Sequence, residues 1–153
     1  MTHAQQEWHI RTVAKVHKIG VVIADPILLP DGTVTKSPYA DQKLRSIHIW
    51  PIVNAENYYI GLHELGHLID KRADLAMIPD VIKALLDSSG EWQDYMDMRR
   101  EWRAWKIAGM IGLEIKHDQF LQILSKGLTS YCANADTWER FTHVYREEWR
   151  QYR

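Results

Sequence analysis

The segment His63-Glu64-Leu65-Gly66-His67 lies within a long helical pattern that begins at Asn54. Asn54 is a favourable N-cap and Glu56 places a negative charge in the first turn, so the pattern predicts a helix from Asn54 to about Ala73. Side chains four positions apart lie on one face of a helix, one turn from each other. The two imidazoles of this segment are therefore expected within reach of a single metal ion.

This histidine spacing is typical of a catalytic zinc site. Two neutral imidazoles bind zinc at about 2.0–2.1 Å, a third protein ligand fixes the ion, and an open position holds a water molecule. Glu64 points beside the histidines, where its carboxylate can accept a proton from that water. We therefore predict zinc as the cofactor, with His63 and His67 as ligands and Glu64 as the general base for attack of water on a carbonyl.

The alternative is that the two histidines are ordinary core or surface residues, because a five-residue pattern also occurs by chance. Helical geometry disfavours this alternative. At about 100° per residue, the histidines fall nearly opposite an apolar stripe, so they do not fill that core. Ile60 and Leu68 lie near the histidines, which predicts that another element packs over them. The apolar stripe consists of Tyr58, Leu62, Leu65 and Ile69.

The candidate third ligand is Glu101, on a long helix predicted from Glu91 to about Lys116. The inward face of that helix includes the small residues Ala104 and Ala108, which would let two helices come close together. A carboxylate at the edge of this face has to be neutralised by a metal ion or by a salt bridge, because an unpaired buried charge is costly. We favour the metal ion.

Several further residues have two interpretations each. Asp97, one turn before Glu101, is the rival third ligand or an acceptor for a histidine N–H. Asp70, three residues after His67, can orient an imidazole or can be an ordinary solvated or ion-paired aspartate. An oxyanion donor is not assigned, and for each candidate the alternative is a packed or surface aromatic residue. The candidates are Tyr39, Tyr59, Tyr131 and His143.

Apolar spacing, capping residues and turn-forming residues predict the rest of the fold. A half-buried strand from Lys43 to Trp50 stops before Pro51 and is expected at a sheet edge. The predicted class is α+β, mainly helical with a small sheet. The other predicted elements are a helix over 5–18, a strand over 21–24, a turn or hairpin over 28–32, and helices over 79–87, 118–131 and 137–153.

Composition limits the class of protein. A chain of 153 residues with 46% hydrophobic and 25% charged residues is typical of one globular domain, here taken as residues 1–153. The formal charge of -1 gives no general attraction to nucleic acid or to an anionic membrane. A single cysteine excludes an intrachain disulfide framework, and no signal peptide or membrane span is visible, so we expect a cytoplasmic protein.

The stretch His63-Glu64-Leu65-Gly66-His67-Leu68-Ile69-Asp70, with Glu101-x-x-Ala104 downstream, resembles the gluzincin metallopeptidases. More narrowly, it is similar to the compact ImmA/IrrE-like proteins and their phage-borne relatives. The resemblance covers about 44–115 and implies a minimal zincin-like fold, in which a small sheet with Ser46–Trp50 as its edge strand packs on the histidine helix and a following glutamate helix. Trp105 departs from the thermolysin-like subset, which carries an aspartate there. The implied zinc ligands are His63, His67 and Glu101, and the implied general base is Glu64.

We therefore expect a zinc metallopeptidase that cuts a peptide bond in one regulatory protein, such as a repressor, because so small a domain is poorly suited to general digestion. The alternative is a catalytically silent zincin-fold protein that acts by occupying a host or phage regulator. An aromatic face on the predicted C-terminal helix would then be the contact surface, although docking on the protein's own core is the plainer interpretation. That face consists of Trp138, Phe141, Tyr145, Trp149 and Tyr152.

Overall fold

The computed structural model describes residues 1–70 and 91–129 of the chain. These residues form an α+β fold that is mainly helical, as the sequence predicts. The helices predicted over 79–87 and 137–153 lie outside the described residues. In chain order the elements are α1 (His3–Val16), β1 (Gly20–Ile23), β2 (Ile27–Leu28), β3 (Val34–Thr35), β4 (Tyr39–Asp41), β5 (Ser46–Ile49), α2 (Ala55–Ile69), α3 (Glu91–Ile111) and α4 (His117–Thr129).

The N-terminal helix α1 begins two residues earlier than the apolar spacing indicates, because Thr2 caps it. The Thr2 side chain accepts a hydrogen bond from the Gln5 backbone, and the Gln5 side chain accepts one from Thr2 in return. Helix α1 ends at Val16, and Lys18 then adopts a left-handed conformation with φ of 57°. The chain enters β1 directly afterwards.

The strand that precedes the histidine helix is the middle strand of the sheet. Strand β5 pairs in parallel with β1 on one side and antiparallel with β4 on the other, in the order β1-β5-β4. The prediction of an edge strand is therefore wrong, because both backbone edges of β5 are used. The strand also begins at Ser46 rather than Lys43, since Arg45 has a positive φ of 49° and Leu44 is 64% exposed. Ile47 and Ile49 point into the core.

The turn or hairpin predicted over 28–32 is a hairpin, in which strands β2 and β3 pair antiparallel. Asp31 accepts hydrogen bonds from the backbone and hydroxyl of Thr33, and Gly32 has a φ of +85° that favours glycine.

Within residues 1–70 and 91–129, no helix combines the length and the apolar character that a membrane span requires.

Helix α2 is the central helix of the described structure. Its N-cap is Asn54, whose side chain accepts a hydrogen bond from the Asn57 backbone, as predicted. The helix ends at Ile69, because Asp70 is extended, so the predicted extension to Ala73 is wrong. Helix α3 likewise ends at Ile111 rather than near Lys116. The sheet, α1, α3 and α4 all contact α2.

Two tyrosines of α2 fix the segment that follows α3. The Tyr58 hydroxyl accepts a hydrogen bond from the Leu113 backbone, and the Tyr59 hydroxyl accepts one from the Lys116 backbone. Both tyrosines are at most 2% exposed. They satisfy backbone groups beyond the last turn of α3, so the position of α4 is coupled to α2.

Helices α2 and α3 cross at a glycine. A Cβ atom on Gly66 would lie 2.3 Å from the carbonyl oxygen of Ala104, and would also lie 2.9 Å from the Ala104 Cα. Two backbones can come this close only where one residue has no side chain. Ala104, which the sequence predicts on the inward face of α3, therefore lies against Gly66 of the histidine segment.

We predict that Gly66→Ala destabilises the protein by about 1–3 kcal/mol or more, because the added methyl group meets backbone that cannot move away alone. Gly61→Ala on the same helix is the matched control. Its Cβ would meet the Cδ1 atoms of Ile10 and Ile49, at 2.6 and 3.2 Å, and these side-chain ends can shift. Urea unfolding monitored by circular dichroism gives both values, and equal losses would contradict the proposed close crossing.

Candidate metal centre

Three predicted ligands come together where α2 crosses α3. His63 and His67 lie one turn apart on α2, with their Nε2 atoms 3.1 Å from each other. Glu101 of α3 lies opposite, with one carboxylate oxygen 3.0 Å from Nε2 of His63 and the other 3.2 Å from Nε2 of His67. The helix predicted to pack over the histidines is therefore α3.

The dimensions and chemistry of this group fit a transition-metal ion. Each of the three residues offers a ligand atom, and these atoms all lie within 4.8 Å of one another. Ligand atoms about 2.0–2.1 Å from a tetrahedral ion are about 3.3–3.4 Å apart, close to the separations seen here. Two imidazole nitrogens with one carboxylate form a set that suits a divalent transition-metal ion.

Proton placement also favours a cation at this point. Two Nε2 atoms 3.1 Å apart can share only one proton in a hydrogen bond, yet both also face the Glu101 carboxylate. If both nitrogens carry protons, the two N–H groups oppose each other, and if only one does, a lone pair faces a carboxylate. A metal ion among the three atoms satisfies every lone pair at once.

Burial and mutual contact shift the pKa of each ligand. Burial alone would raise the pKa of Glu101, but hydrogen bonds and charge interactions with the two histidines lower it to about 2. Burial lowers the pKa of His63 and outweighs the opposing effect of Glu101. Burial also acts to lower the pKa of His67, yet the hydrogen bond to Glu101 and the nearby carboxylates raise it overall. Glu101 is therefore ionised and His63 neutral near pH 7, which are their metal-binding forms.

Glu64 lies beside the ligands with its side chain in the interior. The residue is 8% exposed, and burial raises its pKa to about 7, with a further upward contribution from Glu101 and an opposing one from His67. A carboxyl with a pKa near neutrality can both take up and release a proton at pH 7. The position of Glu64 is therefore compatible with the role of general base that the sequence predicts.

The alternatives raised for the two aspartates have different outcomes. Among residues 1–70 and 91–129, the group able to hold a metal ion comprises His63, His67 and Glu101 and does not include Asp97. Asp70 forms an ion pair with Arg103 of α3 at 2.5 Å, and both side chains are about nine-tenths buried. The ordinary ion-paired interpretation of Asp70 is therefore the one that the contacts support.

Two of the four candidate oxyanion donors, Tyr39 and Tyr59, lie among the described residues. Tyr39 donates its hydroxyl proton to the Leu28 carbonyl and stacks on His48, on the sheet. The Tyr59 hydroxyl is the one that accepts from Lys116. Tyr131 and His143 lie outside the described residues. The Tyr39 hydroxyl therefore uses its proton on a backbone carbonyl, whereas the bond that Tyr59 accepts does not use the Tyr59 hydroxyl proton.

Two features of the site escaped prediction from the sequence. Trp105 stacks on the His63 imidazole with ring centroids 4.2 Å apart and planes at 22°. Its position four residues after Glu101, on the same face of α3, is a signal that helical spacing offers. Gly66 is the second feature, since a glycine between two ligands of one helix marks a close helix approach.

Comparison with models of known protein families, with characterised proteins and with solved structures gives no match to this chain. The gluzincin resemblance therefore depends on the histidine segment and Glu101 alone.

We predict that Glu64→Gln stabilises the metal-free protein at pH 8 more than at pH 5, by on the order of 1–3 kcal/mol. A folded-state pKa of about 7, against 4.5 for the exposed group, means that protonated Glu64 favours folding at low pH. That contribution is lost as the pH rises from about 4.5 through 7, whereas glutamine has no proton to lose.

Chemical denaturation of the chelator-treated proteins at both pH values measures this difference. Glu56→Gln is the control, since Glu56 lies on the same helix with 46% of its side chain exposed. A Glu64→Gln effect that is the same at pH 5 and pH 8 would contradict burial of an ionisable carboxyl.

Proposed function

We propose that this chain is a zinc-dependent metallopeptidase in which His63, His67 and Glu101 hold the ion and Glu64 is the general base. The observation that carries the proposal is the convergence of two imidazole nitrogens and a carboxylate within 3.2 Å, with a buried second carboxyl beside them. A structural site has no need of that second carboxyl. A catalytic site needs such a carboxyl to accept a proton from water and to donate it to the leaving group.

In this proposal the metal ligands and Glu64 have separate roles. A zinc ion in this group would lower the pKa of a water molecule and polarise a carbonyl group. Glu64 accepts the proton of the attacking water, and the same carboxyl can then donate it to the leaving amine. In the metal-free chain burial raises the pKa of Glu64 to about 7, and a nearby zinc ion would lower it and so favour the ionised, proton-accepting form. Glu101 stays ionised and keeps the two histidines in place.

The peptide substrate is inferred from the gluzincin resemblance and from the recessed position of the site. The ligand side chains of His63, His67 and Glu101 are 8–11% exposed, so the site is largely buried. Such a site favours one extended segment of a particular protein over general digestion. We therefore propose a regulatory protein as the substrate, in a cytoplasmic setting.

A second candidate is a zincin-fold protein that binds a regulator without cutting it. One observation favours it: Tyr39, one of the two described candidates for an oxyanion donor, already donates its hydroxyl proton to the Leu28 carbonyl. Loss of an oxyanion donor costs on the order of 100- to 1,000-fold in turnover. The retained Glu64 favours the enzyme.

We predict that Glu64→Gln retains about one zinc per chain but lowers cleavage about 100- to 10,000-fold, because only the proton acceptor is lost. His63→Ala and Glu101→Ala should lose both zinc and cleavage. Asp97→Asn is the matched control, a carboxylate on α3 outside the ligand group, and should lose neither. Zinc is measured by elemental mass spectrometry, and cleavage by labelling new protein N-termini in cells that produce each variant.

The outcomes separate the two candidates. New N-termini that depend on Glu64 would support the peptidase. Zinc binding by the wild type with no Glu64-dependent N-termini would instead support the binding protein. A metal-free wild type after purification with zinc would contradict both, and loss of zinc in Asp97→Asn would contradict the ligand set.

A further inference from the structure

Trp105 is held against the metal centre on several sides. The residue is 3% exposed, and its indole stacks on His63 while the Phe120 ring of α4 meets it nearly perpendicularly, with centroids 5.7 Å apart. Gly127 of α4 also lies against it, since a Cβ there would be 3.3 Å from both Cζ2 and Nε1 of the indole. The ring therefore has little room to rotate away from His63.

Within the described residues, the His63 imidazole does not make the contact that normally fixes a metal ligand. A ligating histidine usually donates its second ring N–H to a carboxylate, a carbonyl or a water molecule, and this bond sets the ring orientation. Nδ1 of His63 is buried and has no hydrogen-bond partner among residues 1–70 and 91–129. Some other contact has to hold the plane of this ring.

The stacked indole is suited to that role. An imidazole becomes electron-poor when its other nitrogen binds a cation, and the face of an indole ring carries partial negative charge. Stacking therefore favours the metal-bound form of His63 over the free form. The contact fixes the plane of the imidazole through the area that the two stacked rings bury and through their charge distributions, instead of through a hydrogen bond.

We propose that Trp105 is a positioning residue for His63, and that its indole replaces the hydrogen-bond acceptor of a conventional histidine ligand. This inference rests on the metal-binding part of the proposed function, but not on catalysis. It makes Trp105, through His63, a determinant of metal affinity and of the geometry at the ion.

The test compares Trp105→Leu and Trp105→Phe with the wild-type chain, using Co²⁺ as the probe. Trp102→Leu is the matched control, because it removes another buried indole from α3. Among the described residues, the rings that contact the His63 ring are those of His67 and Trp105. Affinity is measured by competition with a chelator, and ligand geometry by the visible absorption bands of bound Co²⁺. Thermal unfolding of the metal-free forms reports the purely structural cost.

We expect Trp105→Leu to bind Co²⁺ about 10- to 100-fold more weakly, with shifted absorption bands. Trp105→Phe, which keeps an aromatic face, should recover most of the affinity. Trp102→Leu should lose thermal stability while its affinity and absorption bands stay unchanged. Wild-type affinity and spectrum in Trp105→Leu would overturn the inference and leave the metal site intact, whereas absence of Co²⁺ binding by the wild type would overturn both.

A measurement on the wild type keeps the inference testable even if Trp105→Leu does not fold. Nitrogen-15 NMR of the metal-loaded protein should show His63 bound through Nε2, with an Nδ1 proton shifted by the ring current of the indole. A strongly downfield Nδ1 proton would indicate a hydrogen-bond acceptor on that atom. That result would overturn the role of Trp105 because the acceptor would then orient the ring.

Discussion

The close approach of Gly66 to the Ala104 carbonyl is the contact on which the rest of the structure depends. Gly66 precedes the ligand His67, and Ala104 lies one turn after Glu101, so the same crossing packs the core and assembles the three ligand atoms. The Asp70–Arg103 ion pair joins the same two helices just beyond the crossing. A residue with a Cβ at position 66 would separate both the backbones and the ligands, so packing and chemistry share one constraint.

The site gathers ionisable groups that a metal-free interior tolerates poorly. His63, Glu64 and Glu101 are each at most 9% exposed, and burying such groups without compensation opposes folding. Their pKa values move in different directions: hydrogen bonds from the histidines keep Glu101 ionised, whereas burial is the largest effect on Glu64 and raises its pKa. A bound cation would compensate the charge of Glu101 and relieve the conflict between the two imidazoles, so metal binding should also stabilise the fold.

Much of this arrangement could be predicted from local sequence. Helical spacing places His63 and His67 on one face, and capping by Asn54 gives the start of α2. The pairing of strands was harder to predict from the sequence. A short strand with alternating apolar residues is typical of a sheet edge, whereas β5 pairs with a strand on both sides. The stacking of Trp105 on His63 also depends on how two helices cross, which the period of a single helix does not specify. Glu101 was predictable because a carboxylate near an inward face demands a partner.

The central claim is that two imidazoles and one carboxylate of this chain bind a single zinc ion. X-ray absorption spectroscopy of the zinc-loaded protein tests it most directly, since it reports the ligand atoms themselves. We predict only nitrogen and oxygen ligands at about 2.0–2.1 Å, with outer-shell scattering from two imidazole rings. Sulfur scattering at about 2.3 Å, or a spectrum without imidazole scattering, would contradict the account.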